Sequence, residues 1–279
     1  MVGEVAQPKP SPATTAEQTD MVVVRPQKQR IKTVVVVVHG LNLNPERMDD
    51  WTKFLSDRGA LVLRLALHGH RGNIDEMRTV HVDAWRQQID KALNAARQLG
   101  QKHRAPVAYL GYSLGGLLGV DWLARQQNGS WLFHRMVLLA PAIATPWYSH
   151  LAEKMLTRLD GSWVFPTPNI PEFRANWGSS INAYRALFAL KSFVEAQAYH
   201  NANVDTLVML DRNDELIPFN EIKGIIGKHQ LSKWKLEAIN NDFAKQNHGF
   251  RHLIANQNSV GPGVWQELSQ KIAAHLNLR

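Results

Sequence analysis

The sequence predicts an α/β protein with a mostly parallel sheet, helices on both faces of that sheet, and a helical insertion between two strands. Short β-branched apolar runs alternate with amphipathic helical stretches along most of the chain, the pattern of parallel strands joined by helices. Residues 146–203 interrupt this alternation. Hydrophobic residues make up 44% of the 279 positions, which is enough to bury a sizeable core in one large domain or in two modest ones.

Residues 1–30 are expected to form a disordered leader and the approach to the first strand. The first 20 residues are rich in Pro, Ala and Thr, lack apolar periodicity and contain no signal-peptide-like hydrophobic core. Apolar runs elsewhere are shorter than the roughly 20 residues that cross a bilayer, so the chain is expected to be soluble, without a transmembrane helix. The origin of the leader, the oligomeric state and the compartment stay open, the last between the cytoplasm and export after removal of a targeting segment.

Composition argues against several classes of function. The chain has no cysteine, which rules out disulfides and thiolate metal sites. Its 32 Lys and Arg residues outnumber 24 acidic residues and give a formal net charge of +8. These charges are scattered and accompany no nucleic-acid-binding motif, so no nucleic-acid partner is predicted. A transient contact with an anionic membrane surface stays open.

A sheet domain is predicted for residues 31–145 and 204–279. Its strands are expected at residues 33–38, 61–65, 107–110, 136–139, 206–210 and 235–239. Apolar residues at helical spacing predict helices over residues 83–99, 114–127 and 265–276. Gly100 is expected to cap the first of these helices in a left-handed conformation.

The insertion, residues 146–203, contains no strand-like run and is predicted to be a helical cap, or lid. Two amphipathic helices are marked by Leu151, Met155, Leu156 and Leu159, and by Ile181, Tyr184, Leu187 and Phe188. Three of its aromatic residues, Trp147, Trp163 and Trp177, are predicted to line an apolar substrate pocket. The alternative is that these apolar residues only pack on the core or on a partner subunit.

The sequence GYSLGG, residues 111–116, joins a predicted strand to a predicted helix. A serine with glycines two positions before and after it is typical of a nucleophile elbow, where small neighbours let strand and helix approach closely. The positive end of the helix would point at the serine. Ser113 is therefore the predicted nucleophile, with the Leu114 N–H as an oxyanion donor. The alternative, an ordinary turn serine, does not explain the flanking glycines.

A nucleophilic serine requires an acid and a histidine base, expected in this order along the chain. Asp211 and Asp214 lie in the loop after the strand at 206–210. Asp214 is the predicted acid, because Asp211 directly follows the strand and is placed to cap the turn. His252 is the predicted base, since the apolar residues that follow it can anchor its loop, and His248 is the alternative base.

A second oxyanion donor is expected after the strand at 33–38, where His39 and Gly40 precede Leu41. The Leu41 N–H is predicted to act with that of Leu114, and His39 to be a structural loop residue. His68, His70 and Arg71 are interpreted as loop architecture near the mouth of the site, because no carboxylate is spaced to join these histidines at a metal. The prediction includes no metal and no cofactor.

From residue 31 to the end, the chain resembles α/β-hydrolases and is similar to capped carboxylesterases, monoacylglycerol lipases and lysophospholipases. The matching motifs are HGL at 39–41, GHRG at 69–72, GYSLGG at 111–116, DRND at 211–214 and RHLI at 251–254. The resemblance implies Ser113, Asp214 and His252 as nucleophile, acid and base, and a small-molecule or lipid ester as substrate. Thioester or amide hydrolysis, acyl transfer to an alcohol, and non-catalytic binding on the same fold are the alternatives.

Overall fold

The computed structural model describes residues 20–27, 30–128, 130–131, 133–144, 156, 158–167 and 169–278. Its strands are β1 (Met21–Val24), β2 (Thr33–Val38), β3 (Ala60–Leu65), β4 (Val107–Tyr112), β5 (Arg135–Leu139), β6 (Val164–Pro166), β7 (Gly178–Ser180), β8 (Asp205–Asp211) and β9 (Trp234–Ile239). All six strands predicted from the β-branched apolar runs are present, with bounds that differ by two residues at most.

The helices are α1 (Asp49–Ser56), α2 (Ile74–Arg78), α3 (Val82–His103), α4 (Leu114–Ala124), α5 (Ile181–Ala196), α6 (Phe219–Lys228), α7 (Asp242–His248) and α8 (Gln257–His275). A short 3-10 helix, Pro45–Met48, precedes α1. Gly261, with φ 76°, interrupts α8. Within the described ranges, no helix combines the length and the apolar character needed to cross a membrane.

Seven strands form one sheet in the order β1-β3-β2-β4-β5-β8-β9. Every neighbouring pair is parallel except β1 and β3. The chain passes from β2 outward to β3 and then returns across β2 to β4. Because crossovers between parallel strands are right-handed, this reversal places α1 and α3 on opposite faces of the sheet, as predicted for an α/β fold.

The same reversal positions the candidate site. β2 and β4 are neighbours, and the connections that leave them run in opposite directions. A crevice therefore opens at their carboxyl ends, which is where open α/β sheets bind ligands. Gly40 and Leu41 follow β2 at this edge, and Ser113 follows β4.

The structure corrects the prediction for residues 1–30. Residues 21–24 form β1, which pairs antiparallel with β3 in the register Met21↔Leu65. Val22 and Val23 are 41% and 43% exposed, as expected on an edge strand. The prediction of an entry segment without a strand is therefore wrong for residues 21–24, whereas residues 1–19, nearly all of the predicted disordered leader, lie outside the described part.

The prediction that residues 146–203 contain no strand is also wrong. β6 and β7 form a two-stranded antiparallel hairpin with the register Phe165↔Ser179. Gly178 permits this pairing, because a side chain at that position would collide with the carbonyl oxygen of Phe165. The second predicted helix is present as α5, whereas most of the first, and Trp147, lie outside the described residues.

The predicted end of α3 is wrong by about one turn. The helix continues to His103, and Arg104, not Gly100, takes the left-handed conformation, with φ 51°. A Cβ on Gly100 would lie 2.9 Å from the carbonyl oxygen of Ala105. Gly100 is therefore needed because the chain returns close to it, and not as a cap.

Candidate active site

Ser113 lies in the turn between β4 and α4 with φ 50° and ψ −112°. A residue other than glycine held in such a conformation costs on the order of 1–3 kcal/mol and persists only where its surroundings fix it. Here the Ser113 N–H donates to the Leu139 carbonyl at 2.9 Å, and the Ser113 carbonyl accepts from Leu117 N and Ala142 N at 3.1 and 3.0 Å. The backbone of the turn is thus fixed on both sides.

The glycines around Ser113 allow strand and helix to make this turn. A Cβ on Gly111 would lie 2.6 Å from the backbone of Gly115 and of Gly116. A Cβ on Gly115 would collide with the carbonyl oxygen of Val38 in β2. The spacing of the motif therefore reflects two separate close approaches, one within the turn and one to the neighbouring strand.

The structure brings the three predicted residues together. His252 Nε2 lies 3.1 Å from Ser113 Oγ, and His252 Nδ1 lies 2.9 Å from Asp214 Oδ2 and 3.1 Å from Oδ1. All three residues are buried, and the Asp214 side chain is fully so. In this arrangement a neutral imidazole can accept the serine proton while the carboxylate holds the other ring nitrogen.

Asp214 and Asp211 have different surroundings. Asp214 Oδ1 accepts hydrogen bonds from Leu216 N and Ile217 N, both at 2.9 Å, so the loop fixes its orientation toward His252. Asp211 instead accepts from Asn213 N at 2.7 Å and Asn241 N at 2.6 Å. Asp211 therefore caps the turn after β8, which is the role the sequence suggested for it.

His248, the alternative base, is the last residue of α7. Its Nε2 lies 3.2 Å from the carbonyl oxygen of Asn258, and its ring centroid lies 5.2 Å from that of Phe173. No described hydrogen bond joins His248 to Ser113 or Asp214. The geometry therefore associates His252, and not His248, with the serine.

The predicted oxyanion donors lie at the same crevice. Leu114 is the first residue of α4, where the backbone N–H has no partner within the helix. Leu41 lines the cavity beside Ser113. The β2 loop comes very close to the serine here, because a Cβ on Gly40 would lie 3.1 Å from Ser113 Cβ.

His39 fixes the peptide that precedes Leu41. The Leu67 N–H donates to His39 Nε2 at 3.0 Å, so the ring proton is on Nδ1 and donates to the Gly40 carbonyl at 2.8 Å. Burial lowers the pKa of His39 well below its ordinary value, and His70, whose ring centroid is 4.7 Å away, lowers it further. His39 is thus a neutral structural residue, in agreement with the sequence interpretation.

The GHRG segment also has structural contacts. His70 Nδ1 lies 3.1 Å from the His68 carbonyl, and His68 Nε2 lies 3.0 Å from Thr79 Oγ1. Arg71 forms an ion pair with Asp20, just before β1. Over the part of the chain that the structure describes, no three His, Asp or Glu side chains are grouped to hold a metal ion.

A cavity of about 420 Å³ opens beside Ser113 and His252. The described residues that line it include the polar side chains of Asn42, Thr167, Asn169, Ser179 and Tyr184. Its apolar wall comes from Leu187 and Phe188 of α5 and from Leu216, Ile217, Phe250 and Leu253. The apolar face of α5 is predictable from its helical spacing, but no sequence signal shows that this face is the one turned to the cavity.

The prediction that Trp163 and Trp177 line this cavity is wrong. They are 59% and 46% exposed, and neither is among the residues that surround it. Trp163 immediately precedes β6, and Trp177 precedes β7. Both indole rings are therefore largely exposed to solvent and form no part of the described cavity wall.

A serine in a strained strand-to-helix turn, hydrogen-bonded to a histidine that contacts a buried aspartate, on a mostly parallel sheet, defines an α/β-hydrolase. The family model described as Serine aminopeptidase, S33 (Hydrolase_4) matches residues 29–218. The chain belongs to this family of hydrolases. No curated protein matches the chain.

Several solved structures share the fold over nearly the whole chain. A soluble variant of monoglyceride lipase from Saccharomyces cerevisiae aligns with a TM-score of 0.73 and 10% identity, covering 91% of each chain. A metagenome-derived lipolytic enzyme of the LipS and LipT pair aligns with a TM-score of 0.71 and 15% identity, covering 93% of this chain and 98% of the other. Monoacylglycerol lipase from Paleococcus ferrophilus aligns with a TM-score of 0.65 and 15% identity, covering 94% of this chain and 100% of the other.

Proposed function

We propose that this protein is a serine hydrolase that cleaves carboxylic esters through an acyl-enzyme. The observation that carries the proposal is the position of the His252 imidazole, within 3.1 Å of both Ser113 Oγ and the Asp214 carboxylate, beside a cavity with an apolar wall. This supports a serine nucleophile whose substrate presents both a carbonyl group and a hydrocarbon portion.

In the proposed reaction, Ser113 Oγ attacks the ester carbonyl while His252 Nε2 accepts the hydroxyl proton. Asp214 holds the imidazole and stabilises its positive charge. The N–H groups of Leu41 and Leu114 donate to the oxyanion. His252 then protonates the leaving alcohol, and a water molecule, deprotonated by the same imidazole, releases the acid from Ser113. Each step uses only these side chains, backbone donors and water, without a cofactor.

The insertion is proposed to act as a cap that selects the substrate. Its helix α5 contributes Tyr184, Leu187 and Phe188 to the cavity, so an acyl chain bound next to Ser113 would contact this helix. The lipase and monoacylglycerol lipase names of the similar structures agree with a small-molecule or lipid ester as substrate. A lipid ester would also make a transient contact with a membrane surface part of the catalytic cycle.

Amide hydrolysis at a free amino terminus, which the family description names, is disfavoured by the cavity. An aminopeptidase has to bind a substrate ammonium group, for which a carboxylate is the usual partner. Of the described residues that line the cavity, none is Asp or Glu. Asp214 lies behind His252 with its side chain fully buried. The cavity therefore favours an uncharged ester.

Substitution of the serine tests the proposal. Ser113→Ala should lower kcat for p-nitrophenyl esters by on the order of 10⁶, because loss of a triad nucleophile has a cost of this size. A fluorophosphonate probe should label the wild type and not the variant. Ser162→Ala is the matched control, since this exposed hydroxyl contacts only Asp160 in the described hydrogen bonds. The proposal fails if Ser113→Ala keeps more than a tenth of the activity, or if aminoacyl p-nitroanilides are cleaved faster than the esters.

A further inference from the structure

His252 lies in a loop, residues 249–256, that separates α7 from α8. Among the described hydrogen bonds, none of a helix or a strand involves the main chain of His252. Side chains from other parts of the protein hold this main chain instead. The His252 carbonyl accepts from the Tyr112 hydroxyl at 3.0 Å, and its N–H donates to Glu215 Oε2 at 3.3 Å. The position of the imidazole therefore depends on side chains distant in the sequence.

The residues on either side of His252 are held in the same way. Asn241 Nδ2 donates to the carbonyls of Arg251 and Leu253 at 2.8 and 3.1 Å. The Arg251 N–H donates to Glu215 Oε2 at 2.8 Å. One oxygen of Glu215 thus accepts hydrogen bonds from two successive amides, and the shorter of the two comes from Arg251.

Glu215 directly follows Asp214. Asp214 contacts the imidazole through Nδ1, while Glu215 contacts the main chain of the same histidine. The other oxygen of Glu215 is 3.3 Å from Lys245 Nζ and 3.9 Å from Arg251 Nη1, so two cations stabilise the carboxylate. Two adjacent carboxylates therefore fix both the ring and the backbone of one residue, and a shift of the β8–α6 loop would move both contacts together.

We propose that Glu215 is a positioning residue that sets the distance from His252 Nε2 to Ser113 Oγ by holding the amides of residues 251 and 252. The inference rests on the proposed function, in which this distance matters for proton transfer. Displacement of a catalytic group by about 1 Å can lower a rate by about 100-fold. The effect should fall on kcat, because Glu215 is not among the described residues lining the cavity.

Three variants separate positioning from general support of the fold. Glu215→Ala should lower kcat for a p-nitrophenyl ester by about 10- to 100-fold, with KM changed less than about threefold. Glu215→Gln should recover most of the loss, since its amide oxygen can still accept from both N–H groups. Asp242→Ala is the matched control, because it removes the carboxylate that accepts from the Arg251 guanidinium at 2.8 Å but leaves the amide contacts intact. It should keep kcat within about twofold.

Two readouts without substrate keep this test independent of the ester activity. Hydrogen exchange of the amides in residues 249–256, and the low-field proton signal of His252 Nδ1–H, should both change in Glu215→Ala and be restored in Glu215→Gln. If the wild type hydrolyses no ester, the proposed function fails, and these two signals still decide the role of Glu215.

The proposal is overturned if Glu215→Ala keeps kcat within twofold of wild type, if it changes KM alone, or if Glu215→Gln is as impaired as Glu215→Ala. It is also overturned if exchange in residues 249–256 is the same in Glu215→Ala and wild type. Should Glu215→Ala not fold, Glu215→Asp carries the test. The aspartate side chain is shorter by one methylene, so its carboxylate lies further from the two amides. The same decrease in kcat with unchanged KM is expected for this variant.

Discussion

Each of the three candidate catalytic residues is held in place by a different set of hydrogen bonds. Ser113 is held in a positive-φ turn by hydrogen bonds to its own backbone. Asp214 is oriented by two N–H groups of the loop that follows it, and His252 by side chains that bind its main chain. GYSLGG is recognisable as a motif because the close approaches around Ser113 demand glycine at positions 111 and 115, whereas the contacts of Asp214 and His252 demand no particular neighbouring residue type.

The roles of the two histidines can be separated by substitution. His252→Ala should lower activity about as much as Ser113→Ala, by on the order of 10⁶-fold, since loss of the serine or the histidine of a triad alone costs about as much as loss of all three residues. His248→Ala should stay within about threefold of wild type, because its ring contacts Phe173 and the Asn258 carbonyl. Steady-state kinetics with one p-nitrophenyl ester measure both, with circular dichroism to verify folding. An inactive His248→Ala with an active His252→Ala would reassign the base.

At the level of the element, the sequence predicts those parts whose signal is local and repetitive. The five consecutive valines of β2 are fully buried, as a central parallel strand requires, and this strand can be predicted from residue types alone. β1 was not predicted because it is short and lies at the edge of the sheet, next to residues without apolar periodicity. The three-residue strands β6 and β7, VFP and GSS, carry no alternating pattern at all.

Side-chain direction in the insertion was not predictable for a related reason. Trp163 and Trp177 are the type of residue expected in an apolar pocket, but they lie just before the two strands of a hairpin that the sequence does not show, and their side chains are 59% and 46% exposed. Glu215 gave no signal either, because its contacts are with residues 36 and 37 positions further along the chain. Such contacts exist only once the sheet has assembled.

The apolar face of α5 should set the preference for acyl-chain length. Each methylene buried against it contributes roughly 0.8 kcal/mol, so octanoate should be preferred to acetate. The double variant Leu187→Ala/Phe188→Ala removes part of this wall. It should lower the ratio of kcat/KM for octanoate over acetate by about tenfold or more, while acetate turnover stays within about threefold.

Trp163→Ala is the matched control, since the removed ring is 59% exposed and lies outside the cavity. Its chain-length profile, measured with p-nitrophenyl esters from two to eight carbons, should overlay that of the wild type. An unchanged profile in the α5 double variant would mean that the acyl chain binds elsewhere.

At the scale of the whole molecule, the sheet assembles the site from distant parts of the chain. Ser113 and His252 are 139 residues apart in sequence. They meet because β4, β8 and β9 are parallel, so the loops that follow them leave the same edge of the sheet. This rule allowed Ser113, Asp214 and His252 to be predicted together, although their mutual distances could not be.

Two buried histidines at this edge also connect the site to the stability of the fold. His39 joins the loop after β2 to Leu67, after β3, and His70 packs against it. Burial lowers the pKa of both imidazoles, and for His70 it lowers the pKa to about 4. Both rings are almost fully buried, so protonation of either would place an unpaired positive charge in the core.

The protein should therefore lose stability in mild acid. An unfolded histidine has a pKa of about 6.5, so between this value and about 4 the unfolded chain binds a proton at His70 that the folded protein does not. The stability conferred by the neutral ring is complete above about pH 6.5 and falls by about 3 kcal/mol by pH 4. His70→Asn, which keeps a donor for the His68 carbonyl and does not titrate here, should flatten this part of the curve even if the variant is less stable at pH 7. Urea unfolding at pH 7, 6, 5 and 4 gives the free energy of unfolding at each pH, and its slope against pH is compared between the wild type and His70→Asn. His200→Asn is the control, since His200 is exposed. If the slope for His70→Asn equals that of the wild type, His70 is not the source of the acid sensitivity.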